Sequence, residues 1–379
     1  MKKLIVGITA EGSVNLLLGQ LDYFHRQGYK TYLMSPLSER SAAFCQNENC
    51  EHLKINIERD ISPKKDLSTL LQIIKIFNRV KPDIVNLGTP KVSLLGLLAA
   101  RLLGVKKRIY TCRGFRFEHE KGIKRKVLIA MEKITAACAH DVICISPSVK
   151  ELGIKHGIFK ADKAIVINKG SSNGVNLSLF NPEDSNLLTL KKRLKEKHHL
   201  QGKFVYGFVG RIVDRKGISE LVRVFTRLNR KYPDTRLLLV GPFEMEQITD
   251  KSLVNTIEAH ENIINIGRVT QNEVPGYISI SSVFVLPAWW EGFGNVLVQA
   301  ASMGVPVIST TGTGTCDAVE HNFNGFLITP KAEDQLYEAM EKLYTDTDLA
   351  AKFGQNGLVW AKNFDREIIW GGMEKLYNS

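Results

Sequence analysis

The sequence predicts an α/β protein built from two doubly wound parallel sheets. Twelve short apolar, β-branched runs punctuate the chain, and each is continuous rather than alternating, as in strands buried on both faces. Longer amphipathic stretches separate them, which is the rhythm of strand–helix–strand units with right-handed crossovers. That rhythm runs through twice in 379 residues, more than one ordinary core fills.

The strands of the first half are "LIVGIT", "KTYLMS", "DIVNLG", "RIYTCR", "DVICIS" and "AIVINK". Next comes "NKGSSNGVNLSLFNP", Asn168 to Pro182, whose Gly, Ser and Asn mark a boundary. The second half offers "FVYGFVG", "TRLLLVG", "NIINIG", "VFVLPA", "VPVIST" and "GFLITP". In "KGISELVRVFTRLNRKYP", Ile218, Leu221, Val222, Phe225 and Leu228 fall on one helical stripe, and Pro233 lies past its end. A short helix is expected from Asn295 to Met303, stopped by Gly304 with Pro306 beyond. The expected organisation is a domain over 1–170, a linker over 171–182, a second domain over 183–360, and a final helix within 361–379 packing back on the first domain. Ligands of doubly wound sheets sit beyond the carboxyl ends of the strands, so the cleft between the domains is the expected site.

A hydrophobic content of 44% with 24% charged residues suits a soluble globular chain. No apolar run reaches the ~18 residues of a membrane span. The opening "MKKLIVGITAEG" imitates a signal peptide, but its apolar run is too short and reads as a buried strand, so a cytoplasmic protein is expected. The six cysteines, none in a CxxC pair, are expected to be reduced and structural; Cys45 and Cys50 lie close together in sequence. The net charge of +12 points to phosphate-bearing substrates or anionic lipid. No recognition-helix, zinc-finger or aromatic-rich pattern supports nucleic acid.

Two stretches could carry chemistry. In "GFVGRIVDRKG" a strand ends at Gly210, and Arg211 and Lys216 follow before a helix start. Two cations and free helical amides suit a diphosphate, and a solvated basic loop is the alternative for this stretch alone. In "WWEGFGNVLVQAASMG", Glu291 precedes Gly292, Phe293, Gly294 and Asn295, where another helix opens after a strand. A carboxylate there can hold sugar hydroxyls, and the turn offers amides to an anion. Asn295 and Gln299, four apart, share a helix face.

These stretches, with "LLLVGPFE", "INIGRV" and "NGFLITP", resemble the successive signatures of glycosyltransferase family 4, retaining enzymes of the GT-B fold. The likeness extends into the first half through "TPKVSLLGLLAARLLGVKKRIYT", "ISPSVKE" and "SSNGVN", and there looks like the branch that builds bacterial cell-surface polysaccharides such as capsule and O-antigen. It implies two Rossmann-like domains facing a cleft. It implies that Arg211 and Lys216, beside Gly210, bind the donor diphosphate and that Glu291 holds donor-sugar hydroxyls. The backbone from Gly292 through Phe293, Gly294 and Asn295 to Val296 would contact sugar and phosphate, Gln299 the ribose, and Gly267 to Val269 the base. Gly12 would let the diphosphate approach from the other domain.

Two positions depart from the family pattern. Gln299 stands where a second glutamate is usual, and an amide lacks the charge-assisted strength of a carboxylate. Arg113 stands where many members carry a histidine near the donor sugar; a permanent cation there could bind a carboxylate or phosphate, or form a structural ion pair. Lys91 and His119 are candidates for the acceptor side. "HEKGIKRKVLIAMEKITAACAH" joins a basic start to an amphipathic helix, either a surface helix or a membrane-facing patch. No metal or cofactor is expected: Asp346 and Asp348 read as turn and cap residues, and the histidines lack ligand spacing.

The function implied by the resemblance is transfer of a hexose or N-acetylhexosamine from a nucleotide-sugar, a UDP-sugar by the branch likeness. The acceptor would be a polyprenyl-diphosphate-linked saccharide at the anionic inner face of the cytoplasmic membrane, with the enzyme peripheral to it. A UDP-sugar 2-epimerase-like enzyme and a catalytically weak nucleotide-sugar-binding protein are the alternatives.

Overall fold

The computed structural model describes residues 1–58, 60 and 62–379. The chain divides into two units, Met1–Asn173 with Glu367–Ser379, and Gly174–Arg366.

The first unit holds seven strands: β1 (Lys3–Gly7), β2 (Lys30–Ser35), β3 (Glu51–Lys54), β4 (Ile84–Leu87), β5 (Lys107–Cys112), β6 (Asp141–Cys144) and β7 (Ala164–Ile165). They form one parallel sheet in the order β3-β2-β1-β4-β5-β6-β7. Six of the seven were legible as continuous apolar runs. β3 was not, because its sequence "EHLK" is polar and it buries only Leu53.

Cores form on both faces of this sheet. Ile73 and Phe77 of the helix Pro63–Val80 join Val92 and Leu97 of the helix Pro90–Leu102 in one. Leu21 and Phe24 join Ile369, Met373 and Tyr377 of the C-terminal helix Arg366–Asn378 in the other. Each such side chain removed from water contributes about 1.5–3 kcal/mol. The last helix is also fixed by polar bonds: Trp370 Nε1 donates to Asn173 Oδ1 at 2.7 Å, and Asn86 Nδ2 donates to the Tyr377 hydroxyl at 2.7 Å.

Residues 171–182, expected as a linker, are divided between the units instead. Ser171, Ser172 and Asn173 are buried in the first, where the Ser171 amide bonds Ile145 O at 2.7 Å. Val175 bridges Asp365 in the second. Their small polar side chains imitate a loop, but the amides of Ser171, Val175, Leu179 and Phe180 are paired within the fold.

The second unit holds β8 (Phe204–Val209), β9 (Thr235–Val240), β10 (Ile263–Gly267), β11 (Val283–Val285), β12 (Val307–Thr310) and β13 (Gly325–Ile328). They pair in parallel in the order β10-β9-β8-β11-β12-β13. The helix Ile218–Lys231 buries Ile218, Leu221, Val222, Phe225 and Leu228, the stripe its spacing predicts. Strand order reverses between β1 and β4 in the first unit and between β8 and β11 in the second. At such reversals the crossover helices leave on opposite faces of the sheet, and a crevice opens past the strand ends.

Candidate functional site

The crevice of the second unit is built by the chain leaving β8 and β11. After β8, the Gly210 amide bonds Val240 O, and Ile212 and Val213 are driven fully into the core. These anchors leave Arg211 on one side and the short 3-10 turn Asp214–Lys216 on the other. Gly217 then starts the helix Ile218–Lys231 with φ 71, and a Cβ there would lie 2.1 Å from Pro287 O. Only glycine allows the two loops so close.

The loop after β11 is tied to the first: the Trp289 amide donates to Arg215 O at 2.8 Å, and Trp289 Nε1 donates to Glu220 Oε1 at 2.9 Å. The Lys331 ammonium lies 3.6 Å from the centre of the Trp289 ring, a cation–π contact. This fixes Glu291. Its Oε1 is paired with the Lys216 ammonium and lies 3.4 Å from a terminal guanidinium nitrogen (NH1) of Arg215. All three side chains are a quarter exposed or less, so water screens the cluster weakly. Arg211 is turned to Glu244, with NH1 2.8 Å from Oε2.

Beyond Glu291 the chain enters the helix Asn295–Ser302 with no side-chain cap. The Gly294 amide bonds Gly314 O, and the Phe293 ring is buried against Phe364. Among the described residues, the amides of Gly292, Phe293 and Val296 have no intramolecular acceptor. These donors at a positive helix end, one residue from a carboxylate held by two cations, can take an anion. Gln299 is half-buried on the same helix, with no intramolecular bond from its amide among the described residues. Gly267 ends β10 with φ 76, its carbonyl accepting from the Gly241 amide, and Val269 packs on the neighbouring core.

Lys216 and Glu291 are thus in contact, with Gly292 to Val296 and Gln299 on the adjoining segment. Arg215 completes this cluster and was missed, as was Glu244, the partner of Arg211. Arg215 reads as part of a solvated "DRK" turn, and only the fold brings it 76 positions along the chain to Glu291.

The other candidates belong to the first unit. Gly12 is exposed in the 3-10 turn Glu11–Leu17 with open space beside it. Arg113 lies past the end of β5, where Nε donates to Ser172 Oγ at 2.8 Å and NH1 to Gly88 O at 2.9 Å. A Cβ on Gly88 would fall 1.5 Å from that guanidinium. Burial pulls the Arg113 pKa down to about 10. With two of five N–H donors used on neutral groups, it makes no ion pair among the described residues. Lys91 is not presented as an acceptor-side group: its ammonium is buried against Asp66 Oδ1 at 2.7 Å and Asp60 O. His119 is exposed, 3.9 Å from Glu118 Oε2. Among the described residues, no three His, Cys, Asp or Glu side chains gather as a metal ion would require.

The family model of glycosyl transferases group 1 matches residues 191–360, and that of glycosyl transferase 4-like proteins matches residues 9–146. The capsular polysaccharide biosynthesis glycosyltransferase CapM of Staphylococcus aureus is 36% identical over 375 residues, covering 98% of this chain and 96% of that protein. The UDP-Gal:alpha-D-GlcNAc-diphosphoundecaprenol alpha-1,3-galactosyltransferase of Escherichia coli is 31% identical over 319 residues, covering 83% and 77%. Among solved structures, Alr3699/HepE of Anabaena in complex with UDP-glucose superposes with a TM-score of 0.81 at 18% identity, covering 100% of both chains.

Proposed function

The chain belongs to the group 1 glycosyl transferases of GT-B fold, and from that premise we propose that it moves a hexosyl or N-acetylhexosaminyl group from a UDP-sugar to a polyprenyl-diphosphate-linked saccharide in surface polysaccharide synthesis, with retention at the anomeric carbon. The observation that carries this reading is Glu291 held by Lys216 and Arg215 beside the uncapped helix start. The relatives support the finer terms. One is named for a UDP-sugar donor and a diphosphoundecaprenol-linked acceptor, and the structural neighbour holds UDP-glucose.

In the step proposed, the bond from the anomeric carbon to the β-phosphate oxygen breaks and its electron pair stays on that oxygen. The acceptor hydroxyl oxygen forms the new bond on the same face of the sugar, and its proton passes to the leaving phosphate. Lys216 and the amides of Gly292, Phe293 and Val296, with Arg211 once it turns from Glu244, are the donors proposed for the charge that grows there. A diphosphate draws the Lys216 ammonium from Glu291, freeing that carboxylate for the sugar hydroxyls. Gln299 takes a ribose hydroxyl, and the backbone from Gly267 to Val269 the base. The purified protein, given each common UDP-sugar with and without a synthetic polyprenyl-diphosphate saccharide, should release UDP and extend the acceptor only when both are present. The product's anomeric coupling reports retention. Conversion of the donor sugar without acceptor would establish an epimerase and overturn the reading, and so would donor binding with no transfer to any acceptor.

A lipid-linked acceptor requires approach to a membrane. Among the described residues no helix is long and apolar enough to cross one. The helix Gly122–Cys138 instead exposes Ile123 (81%), Val127 and Ile134 (50%) at helical spacing, flanked by Lys121, Lys124, Lys126 and Lys133. Exposed apolar side chains among lysines suit an anionic bilayer surface. Sedimentation should show binding to anionic vesicles and little to neutral ones, and equal, negligible binding to both would remove the membrane claim.

A further inference from the structure

Outside this site, two thiols are brought together by the end of a helix. The helix Glu39–Asn47 stops in a turn where the Glu48 amide bonds Phe44 O, Asn49 takes φ 51, and the Cys50 amide bonds Cys45 O at 3.1 Å. That six-residue closure is a Schellman motif, which sets the side chains of its first and last residues against each other. Here both are cysteines, Cys45 buried and Cys50 half-buried, brought to one side of the turn by the Cys50 amide bond to Cys45 O. They line a cavity of about 480 Å³ with His25, Lys30 and Gln46, so a small oxidant can reach them.

We propose that Cys45 and Cys50 form a reversible intramolecular disulfide with a low-molecular-weight disulfide oxidant, clamping the turn around Glu48. The Cys45 thiolate attacks one sulfur of the oxidant, forming a mixed disulfide and expelling one thiolate. The Cys50 sulfur, its proton lost to water, then attacks Cys45 Sγ and expels the second. The net change is two protein thiols and one disulfide converted into one protein disulfide and two small thiols. Cys45 is the attacking thiol because the pair's interaction holds its pKa below that of Cys50, which is pushed up.

The clamp acts on the first unit through Glu48. Its Oε1 accepts from the Gly19 amide at 2.6 Å, and its Oε2 from the Leu21 and Asp22 amides at 3.2 Å each. These bonds hold the start of the helix Gln20–Arg26, just past the 3-10 turn that contains Gly12. Closing the ring from Cys45 to Cys50 restricts Glu48 and therefore that turn. The other close pair, Cys112 and Cys144, are register partners across β5 and β6, fully buried, with both thiols pushed up by burial. It is an internal control that stays reduced.

The test treats the reduced full-length protein with hydroxyethyl disulfide under native conditions. Two of the six thiols should disappear, and peptide mapping should join Cys45 to Cys50 with no adduct retained. Exchange of the Gly19, Leu21 and Asp22 amides should slow several-fold, and reduction should reverse both effects. One equivalent of phenylarsine oxide, which bridges paired thiols, should be held by the reduced protein and by neither Cys45→Ser nor Cys50→Ser. The Cys50→Ser variant should keep a stable adduct on Cys45. Independent adducts on both cysteines of the unsubstituted protein, or arsenical held equally by both variants, would overturn the proposal. None of these readouts depends on glycosyl transfer.

Discussion

Glu132 makes the stability of the first unit depend on pH in a direction opposite to that of most carboxylates. It lies on the helix Gly122–Cys138, 7% exposed, and its Oε2 accepts from the Tyr110 hydroxyl at 2.6 Å. Burial outweighs that bond and raises its pKa from 4.5 to about 7. Below pH 4.5 the folded and unfolded chains both hold the proton. Between 4.5 and about 7 only the folded chain holds it, so stability falls as pH rises, by up to about 1.4 kcal/mol per pH unit. Above about 7 the full deficit is in place, on the order of 3 kcal/mol. Glu132→Gln removes the titration but keeps an acceptor for Tyr110. Urea unfolding of both proteins from pH 5 to 8, followed by tryptophan fluorescence, isolates the effect, because every other group titrates in both. The stability of the Gln variant relative to the unsubstituted protein should climb by about 3 kcal/mol across that range, a midpoint shift of about 1–2 M urea for slopes near 2 kcal/mol/M. A difference that stays constant with pH would show that Glu132 is not protonated in the folded state.

Replacing Lys216 or Arg211 by alanine should lower turnover by about 10²–10³-fold, the scale of losing one transition-state donor, measured as UDP release with acceptor present; near-normal rates in both would contradict their assignment. Gln299→Glu should tighten UDP binding by about fivefold, worth about 1 kcal/mol, by giving the ribose a charged acceptor; unchanged affinity by calorimetry would place the ribose elsewhere. Trp370→Ala should cost about 3–5 kcal/mol in urea unfolding, because it empties a core site and leaves its bond to Asn173 unmade. Gly217→Ala should cost at least about 1–3 kcal/mol and reduce turnover, since the added methyl meets Pro287 O; a variant of unchanged stability would mean that the loop is looser than this contact requires.

The sequence by itself determined the elements whose signal is local. A strand covered on both faces must be apolar throughout, which is why twelve strands and the stripe of Ile218 to Leu228 could be read from consecutive residues. The same holds for Glu291 and its glycine-flanked helix start, where strand, turn and helix adjoin in the chain. The polar strand Glu51–Lys54 carries no such signal, because only Leu53 of its four side chains is buried. The tertiary structure alone decided which charges meet. Lys91 looks like a free cation at a helix start until Asp66 folds against it, and Arg215 looks solvated until Glu291 arrives. Arg113 needs the space left by Gly88, and residues 367–379 rejoin the first unit by burying Ile369, Trp370, Met373 and Tyr377. The physical reason is that burial of a strand is written in its own composition, whereas the energy of an ion pair depends on distance and surrounding dielectric, which exist only once segments far apart in the chain have packed.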